Sequence, residues 1–598
     1  MLSEMEPNKK IGTEKIRWNL QDLYPNDSAL GRDLKKYNSG ASEFAHKYRG
    51  KISSQSPAEL FTVLNQLEKL QEGLGRAYSY AYLNWCTDTE DASRGALFQK
   101  VRERYSEIQQ RLLFFELEWT QLESKRAEEL LKSEQLSRYC HYLELLRLKK
   151  NHLLSEPEEK ILSEKSVTGR EAWIRLFDEI MGAVRFNVGN RQLTSEETLS
   201  RLYLPDREVR RKAALSFTEG LQTRLRELTY ISNTLLAEKF SHDRLRNYPN
   251  WLSSRNLSNE ISDVAVQTLI KAVTSRYDLV ARYYCLKRKL LGLKELKDYD
   301  RYAPLEKVQD LHSWDQAKIF VLEAYKSFHP RLEYIAASFF DKRWIDAPVV
   351  PGKVGGAFSH PTVPSVHPYI LMNYTGTLRD VQTLAHELGH GVHQYLSRKQ
   401  GFFHAQSPLT MAETASVFGE ILAFDLLMKT EGRPEVQLSM IMSKIEDILA
   451  TVFRQIAMSR FENRMHTFRR DKGELSTDDF NELWMETQEE MFRGSVRLGE
   501  HYKIWWSYIP HFLHTPGYVY AYAFGELLVL SLYELYQKEG DFFVEKYIAL
   551  LEAGGSDWPD RLLFGLGVDL KDNGLWQQGL CAIESLIVKA EDLAENRS

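Results

Sequence analysis

Helix breakers are scarce in this 598-residue chain. Proline occurs 18 times and glycine 33 times, about 3% and 5.5% against average usages of roughly 5% and 7%. Long uninterrupted elements are therefore expected, and they read as helices. Cysteine is scarcer still. Cys86, Cys140, Cys285 and Cys581 are too few and too scattered for a disulfide framework, which fits a reducing compartment. Neither sign of charge dominates: 78 Lys and Arg stand against 83 Asp and Glu, a net charge of −5, so no basic face for nucleic acid is expected. Residues 1–10 carry Glu4, Glu6, Lys9 and Lys10 and no leader-like apolar core. The most apolar long stretch, 518–536, contains Gly525, Glu526 and Glu534 and reads as a buried helix, not a membrane span. These absences point to a cytoplasmic protein with no nucleic-acid or membrane partner. With 43% hydrophobic and 27% charged residues, the chain has an ordinary globular balance, which excludes disorder.

What is present is mostly helical signal. Ser56-Pro57-Ala58-Glu59 is a capping box with proline at the first helical position. Leu60, Leu64, Leu67 and Leu70 follow at helical spacing. Ser476 and Asp479 repeat the device ahead of Phe480, Leu483 and Trp484. Residues 348–368 break the texture with Pro348, Pro351, Pro361, Pro364 and Pro368 and with Gly352, Gly355 and Gly356. Tyr369-Ile-Leu-Met-Asn-Tyr374 then reads as a strand, so a small sheet is expected inside a helical protein. The glycine-rich loop lacks the Gly-Lys-Ser/Thr ending of a phosphate-binding loop. It reads as a surface loop or as a loop on the substrate side.

Histidine is concentrated in one place. Six of the 16 (His360, His367, His386, His390, His393, His404) fall within residues 360–404, where an even spread would put about one. Among them stands His386-Glu387-Leu388-Gly389-His390. Four residues advance a helix by about 400°, so His386 and His390 project from one face a turn apart, the separation two imidazoles need to hold one tetrahedral zinc ion. Glu387 points about 100° away, toward a water rather than the metal. Thr377 and Asp380 form a capping box for this helix, and Gly401 is a plausible stop.

A third ligand must come from elsewhere. The metzincin pattern fails, because its positions hold His393 and Leu396. Glu413 and Glu420, seven residues apart on an expected helix, share a face. One can be a ligand and the other an acceptor for a ligand's ring N–H. Three histidines in consecutive turns cannot converge on one ion, so His393 reads as a supporting or substrate-facing residue. His360, His367 and His404 read as substrate contacts or as structural histidines. Downstream lies a second cluster, His511, His514, Tyr518, Tyr520 and Tyr522. It is either aromatic core or a source of phenol and imidazole donors for an oxyanion.

Residues 370–393, Ile-Leu-Met-Asn-Tyr-Thr-Gly-Thr-Leu-Arg-Asp-Val-Gln-Thr-Leu-Ala-His-Glu-Leu-Gly-His-Gly-Val-His, resemble the zinc-site signature of oligoendopeptidase F, within the thimet oligopeptidase family. Residues 18–24, 411–420 and 511–522 are also similar to that group, and the likeness covers nearly the whole chain. It implies a mostly α-helical, two-lobed ellipsoid with a deep central channel and a small sheet beside the zinc helix. It implies one Zn²⁺ per chain, with His386, His390 and Glu413 as ligands, Glu387 as general base toward a zinc-activated water, and Glu420 in the outer shell. His511 and Tyr522 would be catalytic. Tyr518, Tyr520, His514, His393, Gly355 and Gly356 would bind substrate, with strand 369–374 pairing with the peptide backbone.

The expected activity is hydrolysis of internal bonds in short unstructured oligopeptides by a monomer or weak homo-oligomer. The expected organisation is an N-terminal helical lobe, 1–200, and a catalytic region, 201–598, with part of 201–345 completing the first lobe. The rivals are a zinc exopeptidase, for which no Gly-x-Met-Glu-Asn type motif is present, and a non-catalytic peptide-binding protein with a relic motif.

Overall fold

The computed structural model describes residues 11–305 and 311–596; residues 1–10, read above as lacking a leader core, lie outside them. The described chain is mostly helical, with two small sheets. Its helices start where the capping residues put them. At Pro57–Cys86, the Ser56 hydroxyl accepts from the Glu59 N–H while the Glu59 carboxylate accepts from the Ser56 N–H. Thr477–Phe492 is capped in the same way by Ser476 and Asp479. Among the described residues no helix is long and apolar enough to cross a membrane.

Packing divides the chain into two compact units, in keeping with the two-lobed expectation. One comprises 1–150, 309–430 and 535–568; the other comprises 151–308, 431–534 and 569–598. The expected division at residue 200 runs along the sequence, whereas these units are interleaved in it.

The first unit has a helical core in which Leu60, Leu64, Leu67 and Leu74 meet Phe115, Trp119 and Leu143. Fully burying one such side chain contributes roughly 1.5–3 kcal/mol. The second unit contains a hairpin, β1 (Phe186–Val188) and β2 (Arg191–Leu193). The first contains a three-stranded sheet of β3 (Ile345–Asp346), β4 (Phe358–His360) and β5 (Tyr369–Leu371), in the order β3-β5-β4. β3 runs parallel to β5, with Ile345 opposite Ile370, and β4 runs antiparallel, with Ser359 opposite Ile370.

That order corrects one expectation. The predicted 369–374 strand, regular over 369–371, is the central one, paired on both sides, so it has no edge left for a peptide; β4 is the outermost strand on one side of the sheet. Lys353 shapes the approach to this strand. Its buried ammonium donates to the Asp346 carboxylate (2.7 Å) and to the carbonyls of Pro348 (2.9 Å) and Met372 (2.8 Å). Asn373 Nδ2 donates to the carbonyls of Val354 and Gly356. The proline- and glycine-rich loop is thus tied to the sheet from both sides.

Candidate metal centre

Helix Leu378–Ser397 begins at the expected box: Thr377 Oγ1 accepts from the Asp380 N–H, and the Asp380 carboxylate accepts from the Thr377 N–H. His386 and His390 leave it on one side, with ring centroids 4.9 Å apart. Glu413 is not inside a helix. It lies at the joint between Leu409–Ala412 and Thr414–Thr430, where the break aims its carboxylate at both rings. Its Oε2 is 3.5 Å from Nε2 of His386 and 3.5 Å from Nε2 of His390. One donor atom from each of the three lies within 4.8 Å of the others. Two imidazole nitrogens and a carboxylate oxygen, all half-buried, are the donor set of a zinc site that keeps a fourth position for water or substrate.

The outer contacts orient the ligands. Glu420 Oε2 is 3.4 Å from His386 Nδ1, the Ala412 carbonyl accepts from the His390 ring, and Ser416 Oγ donates to Glu413 Oε2 at 2.7 Å. Burial works against a charged His386, but the Glu420 hydrogen bond and the charges of Glu413, Glu387 and Glu420 overcome it and lift the imidazole to about 9. His390 is instead pushed down to about 4, by burial first, with His386 adding to it and Glu413 opposing. Glu387 is 7% exposed. Burial pushes its carboxyl up to about 7, Glu413 adds to the rise, and His386 and the Ser359 N–H of β4 oppose it. The carboxylate beside the two histidines is therefore poised near neutrality.

The second unit gathers the downstream cluster. Phe512 and Leu513 are buried in that unit's core, which holds His511 at its rim. The Tyr522 hydroxyl is 3.4 Å from His511 Nε2, and the Tyr518 and Tyr522 rings are 5.1 Å apart, edge to face. Tyr520 points the other way. It is fully buried, and its hydroxyl is taken up by Asn256 (2.7 Å) and Asn259 (2.9 Å). His514 is paired with Asp178 at 2.9 Å.

Residues 200–581 match Peptidase family M3. The chain belongs to this peptidase family. Residues 118–186 match the family described as Oligopeptidase F. The chain is 28% identical to Oligopeptidase PepF of Bacillus subtilis over 99% of its own length and 91% of that protein. It is 27% identical to Group B oligopeptidase PepB of Streptococcus agalactiae over 98% and 99%. Its fold matches a crystal structure from Chlamydophila abortus with a TM-score of 0.88 at 25% identity, covering 97% of this chain and 98% of that one. An oligoendopeptidase-F structure from Enterococcus faecium matches with a TM-score of 0.71 at 22% identity, covering 95% and 99%.

Among the described residues, His386, His390 and Glu413 are the one cluster placed to hold a metal ion, consistent with a single zinc site. The other histidines of the dense segment are engaged with neighbouring groups. His393 is buried, pushed down to about 4 by that burial, and bonded to the Ser407 hydroxyl at 3.1 Å. His360 accepts from the Thr362 N–H, His367 stacks on Trp344 and pairs with Asp22, and His404 accepts from the Tyr142 N–H. Gly355 and Gly356 are exposed in the tied loop.

Three contributors were not singled out from the sequence. Gln394 bonds both the hydroxyl and the carbonyl of Ser359 on β4. The Tyr325 hydroxyl donates to the Ala385 carbonyl at 2.8 Å, one residue before the first zinc histidine. Gly389 is the third: a Cβ there would come 2.3 Å from the Ala415 carbonyl oxygen, so the zinc helix lies against the Glu413 segment backbone to backbone. A glycine between the zinc histidines was the available signal. Gly389→Ala is expected to push the two segments apart, costing about 1–3 kcal/mol in urea unfolding and weakening zinc binding as Glu413 retreats.

Glu462 carries a second prediction. It is fully buried in helix Arg454–Lys472, and its Oε1 accepts from the Gly517 N–H at 2.9 Å, at the turn leading into Tyr518. Burial pushes its carboxyl from an ordinary 4.5 up to about 8, with the Gly517 N–H and Arg255 opposing. The folded protein therefore keeps a proton that the unfolded chain releases, so this group's contribution is full below 4.5 and is lost as pH rises to about 8. Glu462→Gln keeps an acceptor for Gly517 and has no proton to lose. Its stability relative to the parent should rise by about 2–4 kcal/mol between pH 5 and pH 8, as read from urea midpoints; a constant difference would assign Glu462 an ordinary carboxyl.

Proposed function

We propose that the chain cleaves internal peptide bonds of short unstructured oligopeptides, with Glu387 as the general base. The observation that carries this is the convergence of His386, His390 and Glu413 with a buried, proton-ready Glu387 at their side, in a chain of a peptidase family. When bound, zinc supplies a Lewis acid that acidifies water and polarises a carbonyl. Glu387 takes the proton of the attacking water and passes it to the leaving amine. Glu420 orients His386 through its Nδ1. Tyr522 and His511 act as donors to the developing oxyanion, with Tyr518 beside them as a substrate contact. Tyr520 and His393, engaged in the protein interior, have no part in substrate binding, and His514 keeps its bond to Asp178.

The peptide runs past the β4 side of the sheet, with Gly355 and Gly356 of the tied loop as backbone contacts. The relatives' names, oligopeptidase and oligoendopeptidase, support short substrates. The four cysteines are free, which supports a reducing, cytoplasmic setting, and the working form is a monomer or weak homo-oligomer.

The test uses internally quenched, end-blocked peptides of about 5 to 50 residues, each residue adding about 3.3 Å of extended length, with a native protein for comparison. Chelation should abolish cleavage and zinc should restore it. Tyr522→Phe should lower kcat by about 10²-fold with zinc content unchanged. Rates should fall with length, and the native protein should survive. Cleavage confined to peptides with a free terminus would replace this reading with an exopeptidase.

A further inference from the structure

The second unit holds a small cavity whose electrostatics the peptidase reading leaves unexplained. Tyr284, Arg301, Tyr302, Glu446, Ala450 and Arg454 are among the residues that line it. One wall is the π-helical turn Leu449–Phe453, a backbone irregularity that recurs at functional sites.

The charges around it do not balance. The Glu446 carboxylate is held by Lys287 Nζ at 2.9 Å from each oxygen and by the Tyr283 hydroxyl. Asp300 is held by Arg207 and Arg210, and Asp298 by His501. Nothing of that kind remains for the last two cations. Arg301 is 4% exposed. Its Nε donates to the Asp298 carbonyl, and its guanidinium lies over the rings of Tyr302, Phe492 and Tyr502. Arg454 donates to the Tyr302 hydroxyl, and its Nε is buried without an acceptor. Among the described residues neither guanidinium has a carboxylate in ion-pair contact. Two positive charges thus share one phenol beside a cavity. Burial alone would push the Tyr302 hydroxyl up, yet the Arg454 and Arg301 charges pull it below its ordinary value.

Uncompensated buried cations are costly and are ordinarily paired. We propose that this cavity binds a single monoatomic anion, a halide, between Arg301 and Arg454. Size selects that class. The cavity is small, about 20 Å³, which favours one compact ion over an extended organic anion. The bound ion completes the coordination of Arg454 and neutralises part of the field that Arg454 exerts on His511, whose imidazole is lowered by burial, by His514 and by Arg454.

The test measures binding and needs no activity. Crystals of the full chain soaked in bromide should show an anomalous peak within hydrogen-bond reach of both guanidinium groups. In solution, Tm should rise saturably with sodium chloride at or below about 0.15 M, above its value in sodium gluconate of the same ionic strength. Arg454→Gln should remove that difference. If this variant does not fold, the parent's bromide peak and salt comparison decide alone. No peak at the cavity, a peak at crystal concentration only with equal Tm in the two salts, or a chloride-specific rise that persists in folded Arg454→Gln would each overturn the proposal.

Discussion

Glu387→Gln is expected to keep its zinc and its affinity for peptide while kcat falls by about 10³–10⁴-fold. The amide matches the carboxylate in size and fills the same buried position between His386 and the Ser359 N–H. It cannot accept a proton. The parent carboxyl, pushed up to about 7 by burial, takes a proton readily at neutral pH, and that capacity alone is removed. Metal analysis, peptide binding and single-turnover cleavage on one preparation separate the possibilities. A variant that loses its zinc would make Glu387 a ligand, and one that still turns over at parental rates would move the base elsewhere.

The second large effect separates two glutamates. Glu413→Ala should lose zinc outright, because one carboxylate oxygen stands 3.5 Å from both imidazole Nε2 atoms. Glu420→Ala should weaken binding by about 10–100-fold, since Glu420 reaches the site through Nδ1 of His386. Competition with a chelator of known affinity measures both. His390→Ala should follow Glu413→Ala. If Glu420→Ala were the more damaging, the two glutamates would exchange roles.

The zinc helix was legible because its information is local. A cap, a four-residue histidine spacing and a glycine stop need no knowledge of the rest of the chain, and Thr377, His386, His390 and Gly401 stand where that logic puts them. The two glutamates were legible as a pair. The helix break that aims Glu413 was not, because it is set by packing of the Thr414–Thr430 helix against the zinc helix at Gly389. Strand 369–374 was legible as a strand, but its central place depends on β3 and β4, whose pairing is non-local. Among the tyrosines the helical period could not choose. Tyr520 is turned inward by Asn256 and Asn259, more than 260 positions away in sequence, while Tyr518 stands ahead of the helix that carries Tyr522. His393 went inward for a similar reason, since its partner Ser407 lies on the far side of a loop. Lys353 with Asp346, and Arg301 with Arg454, belong to the same class: pairings that exist only once the chain has folded.

The interleaving of the two units bears on how the protein is made. The histidine motif leaves the ribosome long before the last stretch of its own unit, 535–568. Within that stretch the Tyr547 hydroxyl donates to the Thr414 carbonyl at 2.9 Å, next to Glu413. A nascent chain paused near residue 450 therefore displays both histidines and the glutamate without the helix that backs them. At a synthesis rate of about 5–20 residues per second, the motif waits seconds to tens of seconds for that last stretch. Neither unit can be produced as a contiguous fragment.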